Sequence, residues 1–440
     1  MPACPTVDYH FHPQREALYN ELHIRPFYTL EPPQLMTHLA ACCERQEELE
    51  QAFDLLCELC RRYDVNQPKS GSVSYHENVG NFIIHWERHA EFYSLTIMQG
   101  ALPDPDSPFS HTAIDLLPAD WLKQLPGQMI AAFHLIVDQQ HLSYEHKALT
   151  RYFEGHPLMI SSAHSDSARI YTAFKLHGDG FSRFIVKNDH LNDTQLGQLV
   201  RRLTDMETYR LLALMALPPA KRIAPLLVDM DKQLGDILTV VTDAETTSSE
   251  RELLEKLTRI EATLEAYRAE TNQRFSATKA YHQLVRDRLE GIGEQRIEGH
   301  LSMGEFIIRR LNPASRTCES VKEWMDDLSK RIERASVLMR TRANLTLQEQ
   351  NRLQLAAMNR RSKLQFRLQE TVEGLSIAAI SYYAVGLLGY VFGGLPLEEW
   401  GLNKNLLLAA SIPLVLASVW FITRRIKRKL IMDQDKTGGE

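Results

Sequence analysis

The chain has 440 residues, 44% hydrophobic and 24% charged, a balance that suits one large or two to three ordinary domains and excludes a disordered or collagen-like polymer. A formal net charge of -6 leaves no global basic field, so no nucleic-acid partner is expected. Six irregularly spaced cysteines without an N-terminal signal sequence do not make a secreted disulfide framework, and the bulk of the chain is expected in a reducing cytoplasm.

In chain order, residues 46–63 read as a helix, and residues 35–43 fit strand or helix. From about residue 73 to 190 the pattern alternates and carries turn signals, as strands should. Phe82, Ile84 and Trp86 share one parity, Leu95 and Ile97 recur after a break, and residues 129–137 are an apolar run. Residues 169–175 pair naturally with 181–186 across Gly178-Asp179-Gly180 as a hairpin. Residues 1–190 are therefore expected to form an α+β cytoplasmic domain.

From Asp193 the periodicity becomes helical, giving a helical region over 191–312. Leu253, Leu257, Ile260, Leu264 and Tyr267 follow spacings of four and three, as do Val321, Met325, Leu328, Ile332, Ala335 and Met339. These are heptad seams. Breaks are expected at Pro218-Pro219, at the polar run 243–249 and at Asn312-Pro313, because proline cannot donate within a helix. After Pro313 neither proline nor glycine occurs until Gly374, so 313–374 is expected as one coiled-coil-like stalk helix, on the order of 90 Å long. Such a helix needs a neighbour from its own chain or another subunit, and a homo-oligomer is expected.

Residues 375–395 and 406–423 carry no charge, and each is about long enough to cross a bilayer. They are expected as a transmembrane hairpin over 375–423 with a basic tail over 424–440. Arg360, Arg361, Lys363 and Arg367 precede it, Arg424, Arg425, Lys427, Arg428 and Lys429 follow it, and the connecting loop has only Lys404. That asymmetry places both termini on the cytoplasmic side of a bacterial inner membrane, with the lipid bilayer as partner. Gly389 and Gly393 have the spacing that lets helix backbones approach closely, within the hairpin or between subunits.

Several strings are specific: Glu21-Leu22-His23-Ile24-Arg25-Pro26-Phe27, Trp86-Glu87-Arg88-His89-Ala90-Glu91-Phe92, Arg316-Thr317-Cys318, and Gln369-Glu370-Thr371-Val372-Glu373-Gly374-Leu375-Ser376 leading to Ile380-Ser381-Tyr382-Tyr383. On these the chain resembles, nearly end to end, the bacterial membrane-anchored family catalogued as domain of unknown function 3422. That resemblance implies the anchor and says little of function, since the family carries no established activity. In architecture the chain is also similar to the CorA-type divalent-cation channels, with an α+β domain, a long stalk continuing into the first of two C-terminal spans, and a basic tail. Those channels end the first span with a glycine-methionine-asparagine signature. Here the place reads Tyr390-Val391-Phe392-Gly393-Gly394-Leu395, so the likeness carries the architecture without the magnesium-selecting residues.

His85, Glu87, His89 and Glu91 fall at period two, and on a continuous strand all four would leave from one face. Imidazole and carboxylate together suit zinc or a similar divalent cation, the one cofactor the pattern suggests. The same spacing also describes a solvated strand face whose charges pair across the sheet. His10, His12, His23 and Arg25 are early candidates for further ligands or an anion clamp, more often structural. Cys57 and Cys60 form a Cys-x-x-Cys pair, yet within a helix they share a face with Phe53 and Leu56 and read as small hydrophobes. No phosphate-binding loop, nucleophile elbow or kinase signature occurs, and no enzymatic activity is expected. The expected function is a self-associating, membrane-anchored scaffold or ligand-sensing protein. The alternative is a CorA-like homo-oligomeric divalent-cation channel, with Glu398 and Glu399 gathering cations at the loop and Ser376, Ser381 and Tyr382 lining a pore.

Overall fold

A computed structural model describes residues 10–21, 29–243, 247–394 and 403–437. The chain divides into two compact units, one of residues 1–244 and 251–336, the other of 245–250 and 337–440. In the first, α1 (Arg15–Glu21), β1 (Gln34–Cys42), α2 (Gln46–Arg62), β2 (Ser74–Asn78), β3 (Ile83–Arg88) and β4 (Phe92–Gln99) are followed by α3 (Ala119–Leu122), β5 (Gln128–Asp138) and α4 (His146–Tyr152). Then come β6 (Met159–Ala163), β7 (Ala168–Thr172), β8 (Ser182–Asn188), α5 (Asp193–Leu214), α6 (Leu217–Asp243), α7 (Thr247–Ile292) and β9 (Gln295–Arg296). The helix α8 (Met303–Gly393) runs on into the second unit, which also holds α9 (Lys404–Thr437).

Among the described residues the strands form one nine-stranded sheet in the order β2-β3-β4-β1-β5-β8-β7-β6-β9. Every pairing is antiparallel except β5 with β8. Residues 35–43, open to either reading, are strand, and the expected hairpin is the antiparallel pair β7 and β8. Side chains alternate across a strand. On one face Ile84, Trp86, Tyr93, Leu95 and Ile97 pack under Leu49, Ala52, Leu56 and Leu59 of α2. On the other, Met36, Met98, Phe133 and Phe184 pack under Leu196, Leu199, Leu203 and Met206 of α5. The sheet is thus covered on both sides, and β9 joins its edge from far beyond residue 190.

The start of α8 is tied to this sheet. Glu294 accepts hydrogen bonds from Ser161 Oγ of β6 at 2.5 Å and from the Gly304 amide at 2.9 Å. The break expected at Asn312-Pro313 is absent, because α8 already begins at Met303 and continues through Pro313. Pro313 lies on the exposed face of α8, while Ile307, Leu311, Ala314 and Cys318 are buried on either side. Tertiary burial outweighs the local cost of the proline.

The heptad seams are closed within the chain. Leu257 and Leu264 of α7, Leu227 and Leu234 of α6, and Val321, Leu328 and Ile332 of α8 are all buried. Pairwise ion pairs bind the three helices: Arg222 with Glu270, Arg268 with Asp326 at 3.1 Å, and Arg331 with Asp231 at 2.6 Å. The neighbour that such a helix needs is therefore supplied by its own chain up to Ala335. Beyond it, Leu345, Leu353 and Leu364 on α8 are exposed. Leu328→Ala should lower unfolding free energy by about 3 kcal/mol through lost burial and a cavity, whereas Leu353→Ala should change it by less than about 0.5 kcal/mol. Urea unfolding of both variants checks the contrast, and equal effects would contradict the packing.

Candidate functional site

Only part of the His-Glu tetrad comes together. The strand β3 ends at Arg88, so His85 and Glu87 leave one face of it while His89 and Glu91 lie in the turn before β4. Their face is not solvated, because α5 covers it: Glu87 is buried and accepts a hydrogen bond from Arg201 of α5 at 2.8 Å. His85 Nε2 stands 3.4 Å and His89 Nε2 3.9 Å from the same carboxylate. Glu91 turns instead to α7, accepting from Tyr281 at 2.6 Å and Arg274 at 3.2 Å. Next to the cluster, His38 of β1 meets the Thr96 hydroxyl at 2.8 Å and the Thr208 hydroxyl of α5 at 3.1 Å. Arg288 of α7 donates to Asp205 of α5 at 2.9 Å.

The electrostatics follow from burial. Burial opposes the charge on Glu87, but hydrogen bonding to His85 and the Arg201 guanidinium prevail and hold its carboxyl down to about 2. Burial pushes His38 down to about 3 against the pull of Glu87. Burial also pushes Asp205 up, against Arg288 and Arg201. The cavity left among these side chains is about 10 Å³, at the threshold for a single water and too small for a ligand. Among the described residues no group of three or more His, Cys, Asp or Glu is placed to hold a metal ion. The cluster is a polar latch joining β3 to α5 and α7.

The cysteine pair is packed as the helix register implies: Cys60 is buried, Cys57 half-buried, and burial raises both thiols above their ordinary range. Burial pushes Cys318 to about 11. His10 and His12 are exposed, and His23, Arg25, Glu398 and Glu399 lie outside the described residues.

In the second unit α8 and α9 lie side by side. A Cβ on Gly389 would sit 3.6 Å from Leu408 Cδ1 and one on Gly393 3.1 Å from Lys404 Nζ, so both glycines mark close approach within this helix pair. The three hydroxyls do not share a face. Ser376 donates to the Val372 carbonyl of its own helix at 2.8 Å, Ser381 is 5% exposed and Tyr382 77% exposed. Of the residues that matter, sequence reasoning missed His38, Arg201, Asp205 and Arg288. Each sits within an ordinary amphipathic pattern, and only the sheet brings them to Glu87.

Among the described residues three stretches are long and apolar enough to cross a membrane: 193–240, a part of α8, and the start of α9. In the first, Leu196, Leu199, Leu203 and Met206 lie in the core beneath the sheet, and Ile223, Leu227 and Leu234 are buried as well. These features define a class, an α/β sheet domain followed by long helices, the last two of which are candidate spans. The chain belongs to the family described as Protein of unknown function (DUF3422), which matches residues 10–430. Comparison with curated proteins gives no match.

Two outcomes test the latch. Arg201→Ala leaves Glu87 buried without its cation and should cost about 3–5 kcal/mol, most of it recovered in the double variant with Glu87→Gln; additive losses in a double-mutant cycle would refute the pairing. The folded-state pKa of His38 lies below its ordinary 6.5, so the unfolded chain takes up the proton first. Stability is then fully present above pH 6.5 and falls by about 1.4 kcal/mol per unit as pH drops toward 3. Unfolding curves for His38→Gln should be flatter than wild type by that slope between pH 6 and 4.

Proposed function

We propose that this protein is a membrane-anchored cytoplasmic scaffold or ligand sensor, without a catalytic step, held by the α8–α9 hairpin in a bacterial inner membrane and self-associating through its stalk. The observation that carries the reading is the apolar surface left exposed on both C-terminal helices, including Leu375, Ile380, Leu387 and Tyr390 on α8 and Leu406, Leu414, Trp420 and Phe421 on α9. In water so large an apolar surface needs a partner. Arg360, Arg361, Lys363 and Arg367 before the first candidate span and Arg424 and Arg425 after the second support cytoplasmic ends. The exposed leucines of 337–372 support a second copy as the partner of the stalk, since an isolated helix that long does not cover its own apolar side.

A conducting oligomer of CorA-like architecture is the second reading, favoured by the unbroken passage of α8 toward the first candidate span and disfavoured by hydroxyls that point different ways. Full-length protein should stay in the membrane pellet after alkaline carbonate washing. A reporter fused at Glu398 should be active only as a periplasmic one, and fusions at either end only as cytoplasmic ones. Release by carbonate or the reverse pattern would end the anchor reading. Crosslinking in mild detergent should yield oligomers that Leu353→Glu with Leu364→Glu disperses, while cation flux above protein-free liposomes would turn the choice to the channel.

A further inference from the structure

A second cavity in the first unit, of about 470 Å³, opens between β6, the segment after β7, the end of α5 and the first turns of α8. Its size is that of small-molecule pockets. Met159, Leu214, Leu301 and Ile307 contribute walls with no hydrogen-bonding side chain. One side is a four-layer stack. The Arg210 guanidinium lies 5.1 Å from the Phe174 ring centre, Phe174 is stacked on Phe306 at 5.2 Å with 7° between the planes, and the Arg310 guanidinium lies 3.9 Å from the Phe306 ring centre. Phe174 holds a left-handed φ of 47°, an uncommon state for a bulky residue, and its ring is thereby placed in the stack.

The charges around this cavity are unequal. Arg210 is neutralised by Glu207 through two hydrogen bonds of 2.7 Å. Arg310 and Lys175, both exposed and both lining the cavity, have no carboxylate partner among the described residues. An apolar cavity with two uncompensated cations at its mouth complements an amphipathic anion, the charged group at Arg310 and Lys175 and the hydrocarbon body inside.

We propose that this cavity binds a small monocarboxylate with an apolar body, such as a medium-chain acid. This names the ligand class for the sensing part of the function proposed above and rests on it. The cavity lies on the same helix, α8, that carries the first candidate span.

The test is calorimetric titration of full-length protein in lipid nanodiscs with octanoate, octylamine and octanol, empty nanodiscs giving the background. Octanoate should bind at least ten-fold more tightly than the amine or the alcohol. Arg310→Ala with Lys175→Ala should weaken octanoate ten-fold or more while the ligand-free protein keeps a single cooperative melting transition, and Leu214→Trp, which fills the cavity, should abolish binding. Equal binding of octanoate and octylamine, or undiminished octanoate binding by the double variant, would overturn the proposal. Loss of the anchor reading would register separately, as release by carbonate, and would leave the titration unchanged.

Discussion

The carboxylate of Glu294 sets where α8 begins, and most of the molecule depends on that point. The first amides of a helix have no partner within it and carry partial positive charge. Glu294 meets that end through the Gly304 amide while Ser161 Oγ of β6 donates to it, and Ser161 in turn accepts from the Met303 amide at 2.9 Å. The fit is close: a side chain at position 304 would collide with the carboxylate. With its first turn fixed to the sheet, α8 presents Phe306, Ile307 and Arg310 to the cavity after β7 and continues with Val321, Leu328 and Ile332 into the bundle with α6 and α7.

The same sheet explains why a charged cluster can be buried beside it. With α2 on one side and α5 on the other, β3 has no wet face, and the polar residues of its second face must be satisfied internally. Glu87 meets Arg201, Asp205 meets Arg288, and His38 bridges two threonines. Charges balance pair by pair, which suits holding helices in register. A metal site needs an excess of donors converging on one point, and among the described residues no such group occurs: Glu91 is drawn off to Arg274 and Tyr281.

Local periodicity made much of the fold legible. The helix at α2, the hairpin of β7 and β8, the long C-terminal helix and the apolar runs all follow from spacing. Pro313 misleads because local propensity cannot register burial on both sides of it. Period two brought His85 and Glu87 to one face correctly, but it could not place the end of β3 at Arg88 or the arrival of α5 over that face. The seam through Leu328 was visible, whereas the helices that cover it, tied to α8 by Arg268 with Asp326 and Asp231 with Arg331, contribute residues 58 and 100 positions earlier, a separation that only tertiary structure resolves. The cavity beside Phe174 and Phe306 was illegible for the same reason, since its walls come from four separate elements.

The second unit leaves many large apolar side chains on the outside of its helix pair. Where α8 and α9 approach, Ser381 is buried and the half-buried positions mix small residues, Ala384, Gly389 and Ser411, with larger ones, Leu388, Phe392, Leu407 and Leu408. The outward positions carry Leu375, Tyr383, Leu387, Leu414, Trp420 and Phe421. In water the large apolar side chains would be driven inward, since burying each is worth roughly 1.5–3 kcal/mol. In lipid that drive vanishes, and close approach at small residues such as Gly389 adds to the contact. Ser381 Oγ, buried with no hydrogen-bond partner among the described residues, stands at the kind of position where a bilayer-embedded hydroxyl bonds its own backbone, as Ser411 does with the Leu408 carbonyl at 2.7 Å. Large apolar residues turned outward along both helices make a surface that hydrocarbon solvates better than water, and this supports the reading of the pair as an anchor in lipid.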